Sequence, residues 1–505
     1  MRRLVALAVA LAVTGLALAD AQVAPIFGDN MVLQRDIKVP VWGTAEPGEK
    51  VTVSVAGQTA QATAGPDKAW RVDLPALKAG GPFEMTVAGA NTVTFKNVLV
   101  GEVWICSGQS NMAMALRSCL TGAKDAEEAK DPEMRLFTVG RAPSVTPTTA
   151  MSGRWQVCAP DTAGGFSAVA FYFGRELRKT LKVPVGLINT SWGGTPAEAW
   201  TSQPALAAKA EFKPLLDAWE KRLADYPAAM EKHKAALEAH KKEVEKAKAE
   251  GKRPPREPRP PAGPNAPTRP CNLFNGMINP LIPFAIRGAI WYQGEANAGN
   301  GRLYRTLLPT MINDWRARWG QGDFPFLIVQ LPDFMAPVKE PVQAAGWPEL
   351  REAQMMALSL PNTGMAVTLG LGEEKDIHPK NKQPVGERLA LAARAVAYGE
   401  KIVSCGPLYK SVKFEGGKAR ISFDCVGGGL VAKDGELKGF AVAGKDGKFA
   451  AAQAKIDGAD VVVWSDEVKE PAAVRYAWAN NPVWSLMNKE GLPASPFRTD
   501  RDAAK

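Results

Sequence analysis

The sequence contains very few histidines, since only His233, His240 and His378 occur among its 505 residues. Its six cysteines form no Cys-x-x-Cys pair. Zinc sites in proteins are built mainly from these two residue types, so their shortage argues against a zinc ion. We therefore predict a protein that uses no metal and no other cofactor.

Long apolar runs are absent beyond the amino terminus. No later stretch approaches about 18 uninterrupted apolar residues, the length that spans a bilayer, so we predict no membrane anchor. The net charge is +10, but the surplus of Lys and Arg lies partly within residues 221–260 and forms no nucleic-acid-binding pattern. We therefore predict no nucleic-acid partner.

The amino terminus has the pattern of a secretory signal. Two arginines precede an apolar run over residues 4–18, and Ala17-Leu18-Ala19 is typical of a cleavage site. We predict a signal peptide over residues 1–21, cut after Ala19 or Ala21. The mature protein is then expected to be periplasmic or secreted.

The cysteines are compatible with disulfides in such a compartment. Cys405 and Cys425 lie in the same β-rich region and could pair. Cys106 lies within an apolar run, so we interpret it as a buried packing residue; the alternative role, a thiol nucleophile, requires a more exposed position.

Differences in hydrophobic periodicity divide the chain into three regions. Residues 22–97 contain short segments with period-two alternation separated by Gly/Pro turns, which predicts a β-sandwich. Residues 98–400 alternate strands and helices, which predicts an α/β fold with a mostly parallel sheet covered on both faces. Residues 401–505 are again β-rich, and their ending, rich in Asn, Pro and Trp, is expected to pack back onto the rest of the protein.

The α/β region contains an insertion at about residues 205–270. A long Lys/Glu/Ala segment, typical of a charged helix, is followed by a stiff proline-rich segment. We interpret it as a projecting arm, which could cover a site, contact another subunit or be exposed to solvent.

Ser110 follows a predicted buried strand at residues 103–106. The run GEVWICSGQSNM ends its apolar part abruptly, so the serine lies just past the carboxyl end of the strand. Open α/β sheets place their ligand sites at that edge. A serine nucleophile needs a neighbouring base, most often an imidazole.

His378 is the one histidine suited to that role. The other two lie in the charged segment and are expected on a solvated face. Pro379 disfavours a helical conformation at His378, which therefore lies in a loop. Asp376 is two residues earlier, so in an extended segment its carboxylate could orient the imidazole.

Two further strand ends carry hydrogen-bond donors. Gly193 and Gly194 follow one predicted strand, and Asn297 follows another. Glycine allows a backbone N–H to approach closely, and the Asn amide donates as well, so these groups could stabilise an oxyanion. The neighbouring residues predicted to contact substrate are Gln109, Trp192, Gln293 and Glu295, with Trp484 as a second aromatic platform.

Together the motifs SGQSNM, WYQGEANA at 291–298, DIHPKNKQ at 376–383, YAWANNP and GLPASPFRTD resemble those of the sialate O-acetylesterase family. That family is similar to the SGNH hydrolases, and the resemblance implies a flavodoxin-like three-layer α/β/α core flanked by β-sandwich-like domains. It implies Ser110 as nucleophile, His378 as base and Asp376 as orienting acid. It also implies an oxyanion hole formed by Ser110 N–H, the Gly193-Gly194 turn and the Asn297 side chain.

The sequence departs from this pattern at two points. Residue 296 is Ala where the family often has Ser, and Asp376 is two residues before the histidine where many SGNH enzymes have three. The identity of the acid therefore stays open between Asp376, Glu295 and Glu374. A Ser-His dyad without an acid is the further alternative. The serine motif also lacks the second glycine of the α/β-hydrolase Gly-x-Ser-x-Gly elbow.

The resemblance implies removal of O-acetyl groups from a sugar or glycan, first of all a sialic acid. An acetyl esterase for xylan or another plant polysaccharide is the alternative substrate assignment. A non-catalytic carbohydrate-binding protein is the alternative from a different class.

Overall fold

The computed structural model describes residues 21–340 and 342–500. The predicted signal peptide therefore lies outside the described residues, except for Ala21. The amino-terminal strands alternate as predicted: in Lys50–Val55 every second residue is buried. The strands are β1 (Gln22–Val23), β2 (Val32–Gln34), β3 (Val39–Thr44), β4 (Lys50–Val55), β5 (Gln58–Thr63), β6 (Ala69–Leu74), β7 (Gly80–Ala88) and β8 (Thr92–Gly108).

Strand β8 is much longer than the predicted strand at 103–106. Its first half pairs with β2 and β7, whereas its second half belongs to a parallel sheet. The backbone ladder thus runs across the predicted boundary between residues 97 and 98. At residue 98 the side chains change from alternating exposure to continuous burial. The sequence pattern changes at the same point, which is why the sequence predicts a domain boundary there.

Helices and strands alternate after β8. Short 3-10 segments occupy Leu116–Ser118, Ala197–Trp200, Ala210–Phe212, Asn279–Leu281, Glu295–Asn300 and Ala357–Ser359, and a π-helical turn occupies Phe274–Ile278. The main elements are α1 (Ser110–Ala113), α2 (Gly122–Glu127), β9 (Asp131–Thr138), β10 (Trp155–Cys158), α3 (Pro160–Ala163), α4 (Ala168–Leu181), β11 (Val185–Ser191), α5 (Gln203–Ala207), α6 (Lys213–Ala249), β12 (Gly288–Tyr292), α7 (Gly301–Trp319), β13 (Phe326–Val329), α8 (Gly346–Met356), β14 (Thr363–Ala366) and α9 (Gln383–Val396).

The parallel strands have the order β9-β11-β8-β12-β13-β14, with β10 antiparallel at the β9 edge. Trp104 of β8 contacts Phe173 of α4, with ring centroids 5.1 Å apart. Trp291 of β12 contacts Trp315 of α7, with centroids 5.9 Å apart. Trp104 pairs with Gly288, three residues before Trp291, so the two indoles point to opposite faces. Helices therefore pack on both faces of these strands.

The insertion contains the predicted charged helix. Helix α6, described over its whole length, buries none of its 37 side chains and extends about 55 Å. The proline-rich segment returns along its base, since a Cβ at Gly263 would lie 2.5 Å from the ring of Tyr226. Within the ranges that the structure describes, no helix is long and apolar enough to cross a bilayer.

The carboxyl-terminal region consists of antiparallel strands. Cys405 and Cys425 form a disulfide, and Cys106 is fully buried, as expected for both. The tail packs back as predicted, because the buried guanidinium of Arg351 donates to the carbonyls of Ala479 and Asn480 at 2.8 and 2.9 Å. The strands are β15 (Leu408–Glu415), β16 (Lys418–Asp424), β17 (Leu430–Ala432), β18 (Phe440–Ala443), β19 (Phe449–Ala451), β20 (Gln453–Asp457), β21 (Asp460–Trp464), β22 (Ala473–Tyr476), β23 (Leu486–Asn488) and β24 (Phe497–Arg498), with a 3-10 turn at Lys433–Gly435.

Candidate active site

The three central strands of the parallel sheet end at the same level. Gly108 of β8 pairs with Ser191 of β11 on one side and with Tyr292 of β12 on the other. The chain continues from β8 to β9 and β11 on one side and then crosses to β12 on the other. In an open α/β sheet, a ligand crevice forms at this switch point.

Ser110 begins helix α1 directly beyond the end of β8. Gly108 has a φ of +139°, and a Cβ there would lie 2.1 Å from the carbonyl oxygen of Tyr292. Glycine is therefore required for the turn that delivers the serine. Oγ of Ser110 lies 2.8 Å from Nε2 of His378, although the two residues are 268 positions apart.

Asp376 lies on the other side of the imidazole. Its Oδ1 is 3.5 Å from Nδ1 of His378 and accepts a hydrogen bond from the backbone N–H of the same residue at 2.9 Å. That N–H and the nearby Lys380 ammonium hold the pKa of Asp376 below its usual value. The carboxylate therefore stays negative beside the ring, at ion-pair distance. Glu374, another candidate acid, is exposed.

The glycine turn after β11 lies against the serine. A Cβ at Gly193 would lie 3.2 Å from Cβ of Ser110, so the backbone of the turn approaches the nucleophile closely. Gly194 has a φ of +73° and open space around its Cα. The N–H of Ser110 is at the first position of α1, where a helix N–H has no acceptor within the helix itself.

Asn297 is held tightly by its neighbours. Its Oδ1 accepts from the Ala197 N–H at 2.9 Å and from Nε2 of Gln293 at 2.6 Å. Its Nδ2 donates to the carboxylate of Glu198 at 2.9 Å. One N–H of the Asn297 amide is thus engaged by this carboxylate. Burial raises the pKa of Glu198.

Glu198 was not predicted from the sequence. The available signal was a single carboxylate within the apolar run Ala197–Trp200, which the structure forms as a buried 3-10 turn. An acid in such a run is expected to have a specific hydrogen-bond partner.

The four predicted substrate contacts divide into two kinds. Gln109 and Gln293 are buried at 3% and 0% exposure. Gln109 accepts from the Ala296 N–H at 3.2 Å, and Gln293 accepts from the Tyr304 hydroxyl at 2.7 Å. Both side chains are therefore held by hydrogen bonds within the protein, and their contact with a substrate stays a prediction.

Glu295 is held within the protein in the same way, whereas Trp192 is not. Oε1 of Glu295 accepts from Nδ2 of Asn111 at 2.5 Å, so this carboxylate also points into the protein. Trp192 is half-buried, and its backbone N–H donates to the Gly108 carbonyl at 3.1 Å. The guanidinium of the exposed Arg141 lies over the indole, 5.6 Å from its centroid.

The arrangement suits acyl transfer. A hydroxyl in contact with an imidazole, a carboxylate beside that imidazole, and a glycine turn and a side-chain amide at neighbouring strand ends are groups that such chemistry uses. They come from the ends of β8, β11 and β12 and from the loop between β14 and α9.

Comparisons with known proteins agree on one family. The family model described as carbohydrate esterase, sialic acid-specific acetylesterase, matches residues 100–245 and 272–395. The sialate O-acetylesterase of Mus musculus is 34% identical over 441 residues, covering 76% of this chain and 75% of that protein. The Homo sapiens protein of the same name is 31% identical over 430 residues, covering 77% and 74%. The crystal structure of a carbohydrate acetylesterase from Xanthomonas citri is 38% identical, with a TM-score of 0.81 over 95% of this chain and 100% of that one.

Proposed function

This chain belongs to the sialic acid-specific acetylesterase family of carbohydrate esterases, and we propose that it hydrolyses its substrate through an acetyl-enzyme on Ser110. The protein is a carboxylic ester hydrolase that removes O-acetyl groups from sugars. The observation that carries the assignment of the nucleophile is the 2.8 Å contact between Oγ of Ser110 and Nε2 of His378.

The reaction proceeds in two halves. His378 takes the proton of Ser110 while Oγ attacks the acetyl carbonyl, and the oxyanion of the tetrahedral intermediate accepts from Ser110 N–H, the Gly193-Gly194 turn and Asn297. The imidazolium then protonates the departing sugar oxygen, which leaves the acetyl group on Ser110. Water, deprotonated by the same imidazole, attacks this ester and releases acetate.

Alanine substitution tests these roles. Ser110→Ala and His378→Ala should each lower aryl-acetate turnover by several orders of magnitude, with circular dichroism showing intact folding. His240→Ala, in the surface helix α6, is the matched control and should keep normal turnover. A folded Ser110→Ala protein with near-normal turnover would exclude the acetyl-enzyme.

For the acid we propose Asp376. Its support is the 3.5 Å approach of Oδ1 to Nδ1 of His378, whereas Glu295 is turned toward Asn111. Asp376→Asn should lower turnover while leaving substrate affinity unchanged. Unchanged turnover in this variant would favour a Ser-His dyad.

For the substrate we propose an O-acetylated sialic acid, the sugar named for the mammalian relatives. Its carboxylate needs a cation beside the sugar, and Arg141 lies over Trp192 next to the serine turn. Acetate release should be compared on 9-O-acetylated sialic acid and on acetylated xylan fragments. Arg141→Gln should reduce kcat/KM for the sialate and leave the neutral xylan unaffected. Equal loss on both would contradict the carboxylate role, and a preference of the unaltered enzyme for xylan would establish the alternative substrate.

We further propose that the core is an SGNH-type three-layer α/β/α domain over residues 98–400, flanked by β-sandwich-like domains at 22–97 and 401–505. The amino terminus is proposed to direct export to the periplasm or the medium. Amino-terminal sequencing of protein recovered from each fraction should find a start at residue 20 or 22. An intact terminus on the active protein would reject cleavage.

A further inference from the structure

A buried lysine lies beneath the nucleophile. Lys382 directly precedes α9 and is 1% exposed. Its Nζ donates to Oδ1 of Asn111 at 2.5 Å, and Asn111, the residue after Ser110, is itself fully buried. Lysine is almost never fully buried without a partner. The mechanism described above leaves this ammonium without a role.

The amide of Asn111 joins three parts of the site. While Oδ1 accepts from Lys382, Nδ2 donates to Oε1 of Glu295 at 2.5 Å and to the carbonyl of Ile377 at 3.0 Å. Ile377 precedes His378. A single side chain thus connects the helix of the serine, the loop of the histidine and the segment after β12.

The charges around this amide determine its orientation. An ammonium donates only and a carboxylate accepts only, so Oδ1 must face Lys382 and Nδ2 must face Glu295. If the amide were reversed, the Ile377 carbonyl would face an oxygen. Oε2 of Glu295 is buried without a hydrogen-bond partner among the described residues. The positive charge of Lys382 therefore stabilises the ionised form of this carboxylate.

Lys382 is surrounded by groups that affect its protonation. Burial lowers its pKa to about 8, while negative charge on the facing groups raises it. The aromatic ring of Tyr292 lies on another side, with its centroid 5.1 Å from Nζ. The facing titratable groups are Glu295, Cys119, Glu373 and Asp376.

We propose that Lys382 is a positioning residue, which orients Asn111 so that its amide holds the Ile377-His378 segment over Ser110. The inference rests on the proposed roles of Ser110 and His378. In this arrangement Lys382 touches neither substrate nor the reacting atoms. Its loss would allow the imidazole to move from the 2.8 Å contact, and displacement of a catalytic group by about 1 Å can cost about 10²-fold in rate.

Lys382→Met removes the charge and keeps the length of the side chain. We expect kcat on an aryl acetate to fall about 10- to 100-fold with KM unchanged, because substrate contacts stay in place. Lys375→Met, an exposed lysine in the same loop, is the matched control and should behave as the unaltered enzyme. Glu295→Gln should also lower kcat, and the double variant should lose less than the product of the two single losses.

The pH dependence separates positioning from folding. As Lys382 loses its proton above about pH 8, kcat of the unaltered enzyme should fall, and this step should be missing from Lys382→Met. The folded-state pKa lies below the unfolded value of about 10.4, so deprotonation of this group raises stability between the two pH values. The melting temperature should therefore not fall with kcat at this step.

Each result decides the proposal. A kcat within twofold of normal in folded Lys382→Met, or an alkaline step retained in that variant, would overturn it. Should that variant fail to fold, the pH profile of the unaltered enzyme and Glu295→Gln decide instead: no decline above pH 8, or normal kcat in Glu295→Gln, would overturn it. Ser110→Ala distinguishes the two proposals, because an active Ser110→Ala would remove the nucleophile assignment itself.

Discussion

Gly193→Ala should disturb the nucleophile without disturbing the fold. The added methyl carbon would lie 3.2 Å from Cβ of Ser110, whereas ordinary contacts of this kind begin at 3.4 Å. The turn and the serine must therefore separate by a few tenths of an ångström. Scaling from about 10²-fold per 1 Å of misplacement, we expect kcat/KM to fall about 3- to 10-fold, or about 0.7–1.4 kcal/mol.

The φ of Gly193 lies outside the left-handed region, so alanine adds no backbone strain there. The melting temperature should stay within a degree or two of normal. Gly299→Ala is the matched control, because a Cβ at that residue would have no atom within 4 Å. Initial rates on an aryl acetate, with active sites counted by titration, would measure the effect. A Gly193→Ala enzyme as fast as the Gly299→Ala enzyme would refute the close approach of the turn to Ser110.

Three further predictions follow from the contacts of the site and of the carboxyl-terminal region. Asn297→Ala should lower kcat about 10²- to 10³-fold, as loss of one oxyanion donor does, and Glu198→Ala, which removes the acceptor at 2.9 Å, should lower it by a smaller factor in steady-state assays. The pKa of Asp376 is held below its usual value. The stabilisation from its charge is therefore present above the unfolded pKa of about 3.9 and is lost as the pH falls through the folded value. In an acid titration, the unfolding free energy of Asp376→Asn should converge with that of the unaltered protein below about pH 4. Cys425→Ser opens a loop with a sequence separation of 20, which on the chain-entropy model should cost about 3 kcal/mol of unfolding free energy in denaturant titrations, with kcat unchanged.

Individual strands and the serine motif could be predicted because local pattern determines them. The strand at Lys50–Val55 shows the alternation predicted for residues 22–97, and the apolar run before Ser110 does end at the sheet edge. The histidine could be selected by elimination, since the charged segment containing the other two forms an exposed helix. Periodicity and composition are sufficient to predict these strands and to select this histidine.

The supporting contacts could not be predicted in the same way. Whether Gln293 points toward a ligand or into the protein depends on Tyr304, which lies on α7 and donates to its Oε1, and on the Thr195 carbonyl, which accepts from its Nε2. The positions of Asn111 and Lys382 are separated by 271 residues, and only the tertiary fold brings the residue before α9 to the serine helix. Long-range contacts of this kind leave no local pattern in one sequence.

The continuity of β8 has a mechanical consequence. The strand that ends at the nucleophile is fixed at its other end within the amino-terminal sheet, so one continuous backbone strand joins the two ladders. A fragment starting at residue 98 would begin inside this ladder and would expose unpaired edges, a template for self-association. The two β-containing regions joined by β8 should accordingly melt as one cooperative unit, and recombination of modules at that junction would produce an insoluble enzyme.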